Sequence, residues 1–154
     1  MLVSYPALFY YDPTESVKYF VHFPDFENSA TQGTDISEAM FMASDWLGIN
    51  ISSLIEDNTS VPTPSEINKL SPRKDNPFKD DPDFESTFDF EKSFVSMVTV
   101  DLKGYLGSQQ PVKKTLTIPT WADQLGKKMK INFSQTLTDA ITEKAVENDQ
   151  KLGV

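Results

Sequence analysis

The chain has 154 residues, of which 38% are hydrophobic, and its 14 lysine and arginine residues face 23 aspartate and glutamate residues, a formal net charge of -9. This length suits one ordinary domain or two small ones, and the apolar content excludes wholesale disorder. The absence of cysteine excludes disulfides, thiolate metal sites and a cysteine nucleophile, and the single histidine, His22, excludes a multi-histidine metal site. No apolar run approaches the roughly 20 residues of a membrane helix. We therefore expect a cytoplasmic protein without a metal or cofactor.

Charge is distributed unevenly between the two parts of the chain. Residues 1–110 carry 7 basic and 18 acidic side chains, whereas residues 111–154 carry 7 basic and 5 acidic ones. The first part as a whole is therefore unsuited to nucleic acid, and the second part has a net positive charge. Such asymmetry indicates two modules with different partners, although a basic solvated surface on a small helical domain is the alternative.

Two strand patterns open the first module. Residues 7–11 and 17–23 flank an Asp-Pro turn signal and predict a β-hairpin. His22 falls on one face of the second strand, and no serine, cysteine or second histidine accompanies it, so we interpret it as a sheet residue and not a catalytic base. A single apolar stripe then predicts one helix over residues 36–56, with Asp35 as its N-cap.

A proline-rich acidic insertion follows over residues 57–92. Five of the ten prolines lie between residues 57 and 90, and seven acidic residues alternate with phenylalanines from residue 75 to residue 91. Prolines oppose both helix continuation and central strand pairing. One interpretation is a solvated surface insertion. The other is an acidic arm that docks on a basic partner through Phe84, Phe88 and Phe90.

The first module closes with a strand over residues 94–102. Its alternation predicts that Phe94, Val98, Val100 and Leu102 share one face. Glycine, serine and glutamine then mark a hinge over residues 107–111. Residues 1–106 thus read as a β-β-α-β domain interrupted by the insertion.

The second module, residues 112–150, begins with an alternating segment. Leu116 and Ile118 point to one face, and the polar residues Lys113, Thr115 and Thr117 point to the other. A helix capped by Thr120 follows, and its end is basic, with Lys127, Lys128 and Lys130. Ser134 is the candidate N-cap of a second helix, over residues 135–147, which buries Leu137 and Ile141.

This module is too small to be stable alone, because domains below about 40 residues usually need metals, disulfides or oligomerisation. Two copies can pair their strands antiparallel and bury a shared core of Leu116, Ile118, Leu137 and Ile141. The outer face of the paired strands then displays Lys113, Thr115 and Thr117 twice.

The segment KKTLTIPTWADQL followed by INFSQTLTDAI resembles a ribbon-helix-helix DNA-binding domain. In that family the paired strands enter the major groove, so the resemblance implies base reading by Lys113, Thr115 and Thr117. It also implies phosphate binding by the N–H groups of Phe133 and Ser134, with added contacts from Lys127, Lys128 and Lys130. The alternative is a dimerisation module that does not touch DNA.

The first module resembles HicB-type antitoxins. The cues are a hairpin ending in Phe-Pro-Asp-Phe, then Thr-Gln-Gly, then a helix opening with Ile-Ser-Glu-Ala, then Pro-Thr-Pro-Ser. The resemblance implies a partial RNase H-like fold, an overall α+β class, and a small basic HicA-type toxin that cleaves mRNA as the partner. It also implies an antitoxin that represses its own operon as a homodimer on double-stranded DNA.

Two other functions remain open from the residues alone. One is a free-standing ribbon-helix-helix regulator whose first module binds a ligand or a protein. The other is an RNase H-like nuclease, which we do not expect because Asp101 is the only acidic residue placed on a predicted strand core, and two-metal hydrolysis needs several converging carboxylates. We therefore predict a protein that is not an enzyme.

Overall fold

A four-stranded antiparallel sheet organises the first module in the computed structural model, which describes residues 1–107 and 112–152. The spatial order is β3-β2-β1-β4, and the strands are β1 (Leu2–Tyr11), β2 (Tyr19–His22), β3 (Thr31–Gly33) and β4 (Asp89–Asp101). The helices are α1 (Ile36–Glu56), α2 (Phe84–Thr87), α3 (Thr120–Lys128) and α4 (Phe133–Leu152), and single 3₁₀ turns occur at Ile67–Lys69 and Leu102–Gly104. The predicted mixture of helices and strands is therefore confirmed.

Helix α1 begins and ends where the sequence predicts. The Asp35 side chain accepts a hydrogen bond from the Glu38 N–H at 2.8 Å, which satisfies one of the free donors of the first turn. The Glu38 carboxylate reaches back to the N–H of Thr34 at 2.6 Å. This reciprocal pair fixes the helix start and stabilises it typically by about 1 kcal/mol.

Strand β1 is buried on both faces because it lies between β2 and β4 in a sheet that is covered on both sides. Its odd-numbered residues pack towards α1. The core on that side has the following members among others: Val3, Tyr5, Ala7, Phe9, Val21, Phe23, Ala39, Ala43, Leu47, Ile51, Val98, Val100 and Leu102. The predicted faces of the last strand are confirmed, since Phe94, Val98 and Leu102 all belong to this side.

The edge strand β3 was not predicted. It has only three residues, and its order depends on pairing with β2, where Tyr19 faces Gly33. Gly33 is required there by a close approach, because a Cβ atom at this position would lie 2.3 Å from the backbone nitrogen of Ala39. Any side chain at residue 33 therefore pushes the start of α1 away from the sheet.

The later part of the insertion, from Leu70 onward, covers the second face of the sheet and does not extend into solvent as an arm. Two tyrosine hydroxyl groups of β1 hold the insertion on opposite faces of the sheet: Tyr10 donates to the Pro72 carbonyl at 2.7 Å on the second face, and Tyr5 donates to the Pro62 carbonyl on the α1 side, where Val61 joins the core. Burial raises the pKa of both phenols, so both stay protonated as donors. The second core comprises buried Leu8, Tyr10 and Phe84, with Phe20, Leu70, Phe78, Phe88, Phe90 and Val95 packed against them.

This packing changes the interpretation of the insertion's phenylalanines. Phe84 is only 6% exposed, so its ring has no face available to a partner, and the docking role predicted for it is wrong in this arrangement. Phe88 and Phe90 are half-buried against it. The insertion also ends earlier than predicted, because residues 89–92 belong to β4, where Asp89 pairs with Tyr11.

The start of the predicted hinge is fixed to α1. The N–H of Gly107 donates to the Glu56 carboxylate, and the Tyr105 hydroxyl donates to Asp45 at 3.0 Å. The Tyr105 ring lies so close to Gly48 that a Cβ there would be 2.6 Å from it, which explains a glycine inside a long helix. The rest of the hinge, residues 108–111, lies outside the described residues.

Candidate nucleic-acid and partner interfaces

The segment predicted as a DNA-reading strand forms neither strand nor helix in the single chain. Residues 112–119 are exposed throughout, including Lys113, Thr115 and Thr117. A β-strand exists only through hydrogen bonds to a neighbouring strand, and none of the strands in the described residues pairs with residues 112–118. The Pro119 carbonyl, by contrast, accepts from the N–H groups of Ala122 and Asp123 in the first turn of the following helix.

Helix α3 starts differently from the prediction. Pro119 is its N-cap residue, Thr120 is its first helical residue, and no side chain caps it. The physical reason is that Pro119, with its φ of -57°, already presets the helix entry, so Thr120 is drawn into the first turn. Asp123 pairs instead with Lys127, one turn later, at 2.7 Å.

The three lysines at the end of α3 are exposed, and one of them shapes the turn. Lys130 has a φ of 55°, the left-handed conformation that commonly terminates a helix. The N–H of Ile131 then donates to the Gly126 carbonyl at 2.9 Å. Lys127, Lys128 and Lys130 thus lie around a defined helix end, where their charges also suit the helix dipole.

The start of α4 is capped by Asn132 and not by Ser134. The Asn132 side chain accepts from the Gln135 N–H at 3.1 Å, and Phe133 and Ser134 are the first two helical residues. The predicted cap was displaced by two residues because asparagine caps at least as well as serine. The first-turn N–H groups of Phe133 and Ser134 have no acceptor within the helix, which is what a phosphate site requires.

Apolar side chains of this module lie exposed to an unusual degree. Leu116 is 59% exposed and Ile118 43% exposed, and Leu137 is half-buried while Ile141 is largely exposed. Other large apolar side chains exposed here are Val112, Trp121, Leu125, Met129 and Phe133. Contiguous exposure of this kind on a small module marks an interaction surface.

The segment that forms α1 and its flanking turns is acidic. Residues 23–68 contain eight carboxylates and no lysine, arginine or histidine. An open groove of about 430 Å³ lies along this segment, and its lining includes Asp25, Glu27 and Trp46. The acidic stretch that the sequence pattern emphasises, residues 75–91, lies in a part of the insertion, residues 69–92, that also holds five basic side chains against seven acidic ones.

His22 is held as a structural residue. Its Nδ1 lies 3.0 Å from the Ser29 carbonyl oxygen, so Nδ1–H donates there in the neutral ring. The buried Ser29 hydroxyl lies 2.9 Å from the same nitrogen and also binds the backbone of Phe23. Burial lowers the pKa of His22 below its ordinary value, because the charged ring is poorly solvated there.

We expect His22 to make the stability of the first module depend on pH. A folded pKa below the unfolded value near 6.5 means that the unfolded state binds more protons in that window. Stability is then complete above pH 6.5 and falls as the pH drops through the window, by at most about 1.4 kcal/mol per pH unit. Urea unfolding of the wild type and of His22→Asn at pH 7.5 and 5.5 measures this, and equal losses in both proteins would contradict it.

The carboxylates of the described residues do not gather into a candidate metal site. Nowhere in residues 1–107 or 112–152 do three or more histidine, cysteine, aspartate or glutamate side chains group in a way that could hold a metal ion. Asp101 is paired with the Met1 amino group at 2.7 Å and accepts from the Lys103 N–H, and these hydrogen bonds lower its pKa.

In residues 1–107 and 112–152, no helix is long and apolar enough to cross a membrane.

Comparison with known proteins identifies relatives of this chain. Residues 4–71 match the family model described as the HicB_like antitoxin of bacterial toxin-antitoxin systems. Antitoxin HicB 1 of Photorhabdus laumondii is 39% identical over 56 residues, 36% of this chain and about a third (36%) of that protein's length.

Two solved structures extend the comparison along most of the chain. A chain in a toxin–antitoxin complex from Streptococcus pneumoniae is 64% identical, with a TM-score of 0.67 and coverage of 94% of this chain and 99% of that chain. The antitoxin HicB of Burkholderia pseudomallei is 20% identical, and the match covers 92% of this chain and 98% of that chain. Its TM-score of 0.56 shows that the two proteins share the fold.

Proposed function

The chain belongs to the HicB-like antitoxin family, and from this premise we propose that it neutralises a small basic HicA-type toxin that cleaves mRNA and represses its own operon by binding DNA. The observation that carries the proposal is the 64% identity, over 94% of the chain, to a chain found in a toxin–antitoxin complex. The sheet with α1 on one face supports the partial RNase H-like assignment of the first module.

The charge of the first module supports a basic partner. Residues 1–110 hold 18 acidic and 7 basic side chains, and such a surface attracts a protein whose own surface binds RNA phosphates. Electrostatic attraction accelerates association and lets the antitoxin compete with RNA for the toxin. The mechanism is occlusion: the toxin's RNA-binding surface is covered by acidic protein surface in place of RNA.

The second module supports DNA binding through a dimer. Pairing of residues 112–118 from two copies places Leu116 and Ile118 in a shared core beneath four helices, together with Leu137 and Ile141. The opposite face of the ribbon then presents Lys113, Thr115 and Thr117 to the bases of the major groove. The N–H groups of Phe133 and Ser134 bind a backbone phosphate, and Lys127, Lys128 and Lys130 add further phosphate contacts.

Inhibition of RNA cleavage tests the proposed function directly. We expect an excess of the purified full chain to stop RNA cleavage by the toxin of the Streptococcus pneumoniae complex, because the 64% identity extends over nearly the whole chain. An equal excess of an unrelated acidic protein controls for non-specific charge effects. Undiminished cleavage in the presence of this chain, together with no complex on a sizing column, would refute the antitoxin function.

A further inference from the structure

The negative charge of the first module is concentrated on one side. The eight carboxylates of residues 23–68 are unopposed by any basic side chain, so this segment supplies a charge of -8. It forms β3, α1, the turns around them and the first part of the insertion, residues 57–68, while residues 69–92, which include the cover of the other face of the sheet, carry five basic and seven acidic side chains. The module therefore has an acidic side that is distinct from the face covered by the later part of the insertion.

The outward face of α1 adds exposed apolar side chains to this acidic side. Phe41 is 69% exposed and Ile49 is 55% exposed, although the helix places Ala43, Leu47 and Ile51 in the core. Residues four apart on an α-helix advance by about 40° and rise by about 6 Å. Phe41, Asp45 and Ile49 therefore lie on one line, with Glu38 and Glu56 continuing it at either end.

The carboxylates on this line are held in place. Glu38 accepts hydrogen bonds from the N–H and hydroxyl of Thr34 at 2.6 and 2.5 Å, which lower its pKa and keep it ionised. Asp45 is oriented by the Tyr105 hydroxyl at 3.0 Å. Acidic and apolar groups thus alternate on a rigid helix face. Because these side chains are already held in place, a partner that binds to them restricts little further side-chain motion.

We infer that this face of α1, comprising Glu38, Phe41, Asp45, Ile49 and Glu56, is the surface on which the basic toxin docks. The inference rests on the proposed antitoxin function and specifies its contact surface. Lysine and arginine side chains fit such a face, because their aliphatic stems cover Phe41 and Ile49 while their charged ends reach the neighbouring carboxylates. A guanidinium group also stacks favourably on the Phe41 ring.

Two other occupants fit the face less well. A second copy presenting the same face would bring like charges together, which is repulsive. The chain's own basic module leaves Phe41 and Ile49 exposed in the structure, so it does not cover them. A separate protein of opposite charge is the occupant that the observations favour.

Binding of the full chain to the toxin of the Streptococcus pneumoniae complex tests the inference. The double variant Phe41→Ser plus Ile49→Ser is expected to weaken affinity about 100-fold, since each lost anchor corresponds to about tenfold. Asp45→Asn keeps the acceptor for Tyr105 but removes the charge, and it is expected to slow association several-fold at low salt. Surface plasmon resonance at two salt concentrations gives both values.

Matched controls lie on other surfaces. Leu2→Ser changes an apolar residue that is 71% exposed on β1, and Asp80→Asn removes an exposed carboxylate from the insertion. Both are expected to bind within about twofold of the wild type. Because Phe41, Ile49, Leu2 and Asp80 are exposed and Asp45→Asn keeps the acceptor for Tyr105, thermal unfolding should confirm that each variant is folded.

The possible results of these measurements distinguish a wrong docking surface from a wrong antitoxin function. If the wild type binds and the double variant binds equally well, the docking surface is wrong while the antitoxin function stands. If Leu2→Ser weakens binding as much as the double variant, the surface is also wrong. If the double variant instead lowers the oligomeric mass by light scattering, the face is a contact between copies. If the wild type does not bind, both proposals fail.

Discussion

Replacing Phe84 with alanine is expected to lower the free energy of unfolding of the first module by about 3–5 kcal/mol. The Phe84 ring is buried between the insertion and the sheet, with ring centroids of Tyr10 and Phe90 at 5.9 and 5.3 Å. Its removal leaves a cavity at the centre of the insertion's aromatic residues, and the insertion loses one of its ring contacts with Tyr10 of β1. Urea unfolding followed by circular dichroism measures the change.

Two further variants make the result interpretable. Phe41→Ala deletes the same side chain from an exposed position and is expected to change stability by no more than about 0.5 kcal/mol. Phe84→Leu keeps most of the volume and is expected to remain folded, with a loss of about 1 kcal/mol. If Phe84→Ala is as stable as Phe41→Ala, the insertion is loosely attached, as an arm would be.

The sequence carried a signal for this second core that the prediction did not use. Leu8 and Tyr10 lie on the opposite face of β1 from Phe9, so the strand is apolar on both faces. A strand of this kind must be covered on both sides, and α1 covers only one. The phenylalanines of the insertion are the apolar residues that cover this second face. Their alternation with acidic residues, taken by itself, favours a solvent-exposed arm.

Elements fixed by local interactions were predicted best. The limits of α1 follow from its Asp35 cap and its apolar spacing, both of which are visible within a few residues. β3 could not be found in this way, because its three residues have no apolar pattern and are ordered by β2 and by the approach of Ala39 to Gly33. The cap at Asn132 was missed because Ser134, two residues later, is an almost equal candidate.

Among the residues of the candidate interfaces, too, some can be assigned from the local sequence pattern and others only from the packing. The two faces of residues 112–118 follow from alternation alone, so Leu116 and Thr115 could be assigned without a structure. The exposure of Phe41 could not, because the apolar stripe of α1 includes its neighbours and only the packing shows which side chains remain outside. Long-range packing is therefore what the sequence pattern leaves undetermined.

The double variant Leu116→Ser plus Ile118→Ser is expected to abolish the proposed dimer and to reduce the proposed binding to the chain's own promoter DNA about 1,000-fold. The two side chains are 59% and 43% exposed in the single chain, and pairing of two copies buries four such side chains together. A monomer contacts one half-site, so binding falls to the non-specific level. Analytical ultracentrifugation and fluorescence anisotropy at fixed salt concentration measure the two effects.

Variants on the opposite face separate dimerisation from base reading. Thr115→Ala plus Thr117→Ala is expected to keep the dimer mass but to relax the preference for promoter over unrelated DNA, because threonine contacts base edges. Lys127→Ala is expected to weaken binding to both DNAs alike and to reduce the salt dependence, since a phosphate contact carries no sequence information. A threonine variant with unchanged preference would show that the ribbon does not read the bases. A dimer that survives Leu116→Ser plus Ile118→Ser would show that other surfaces join the two copies.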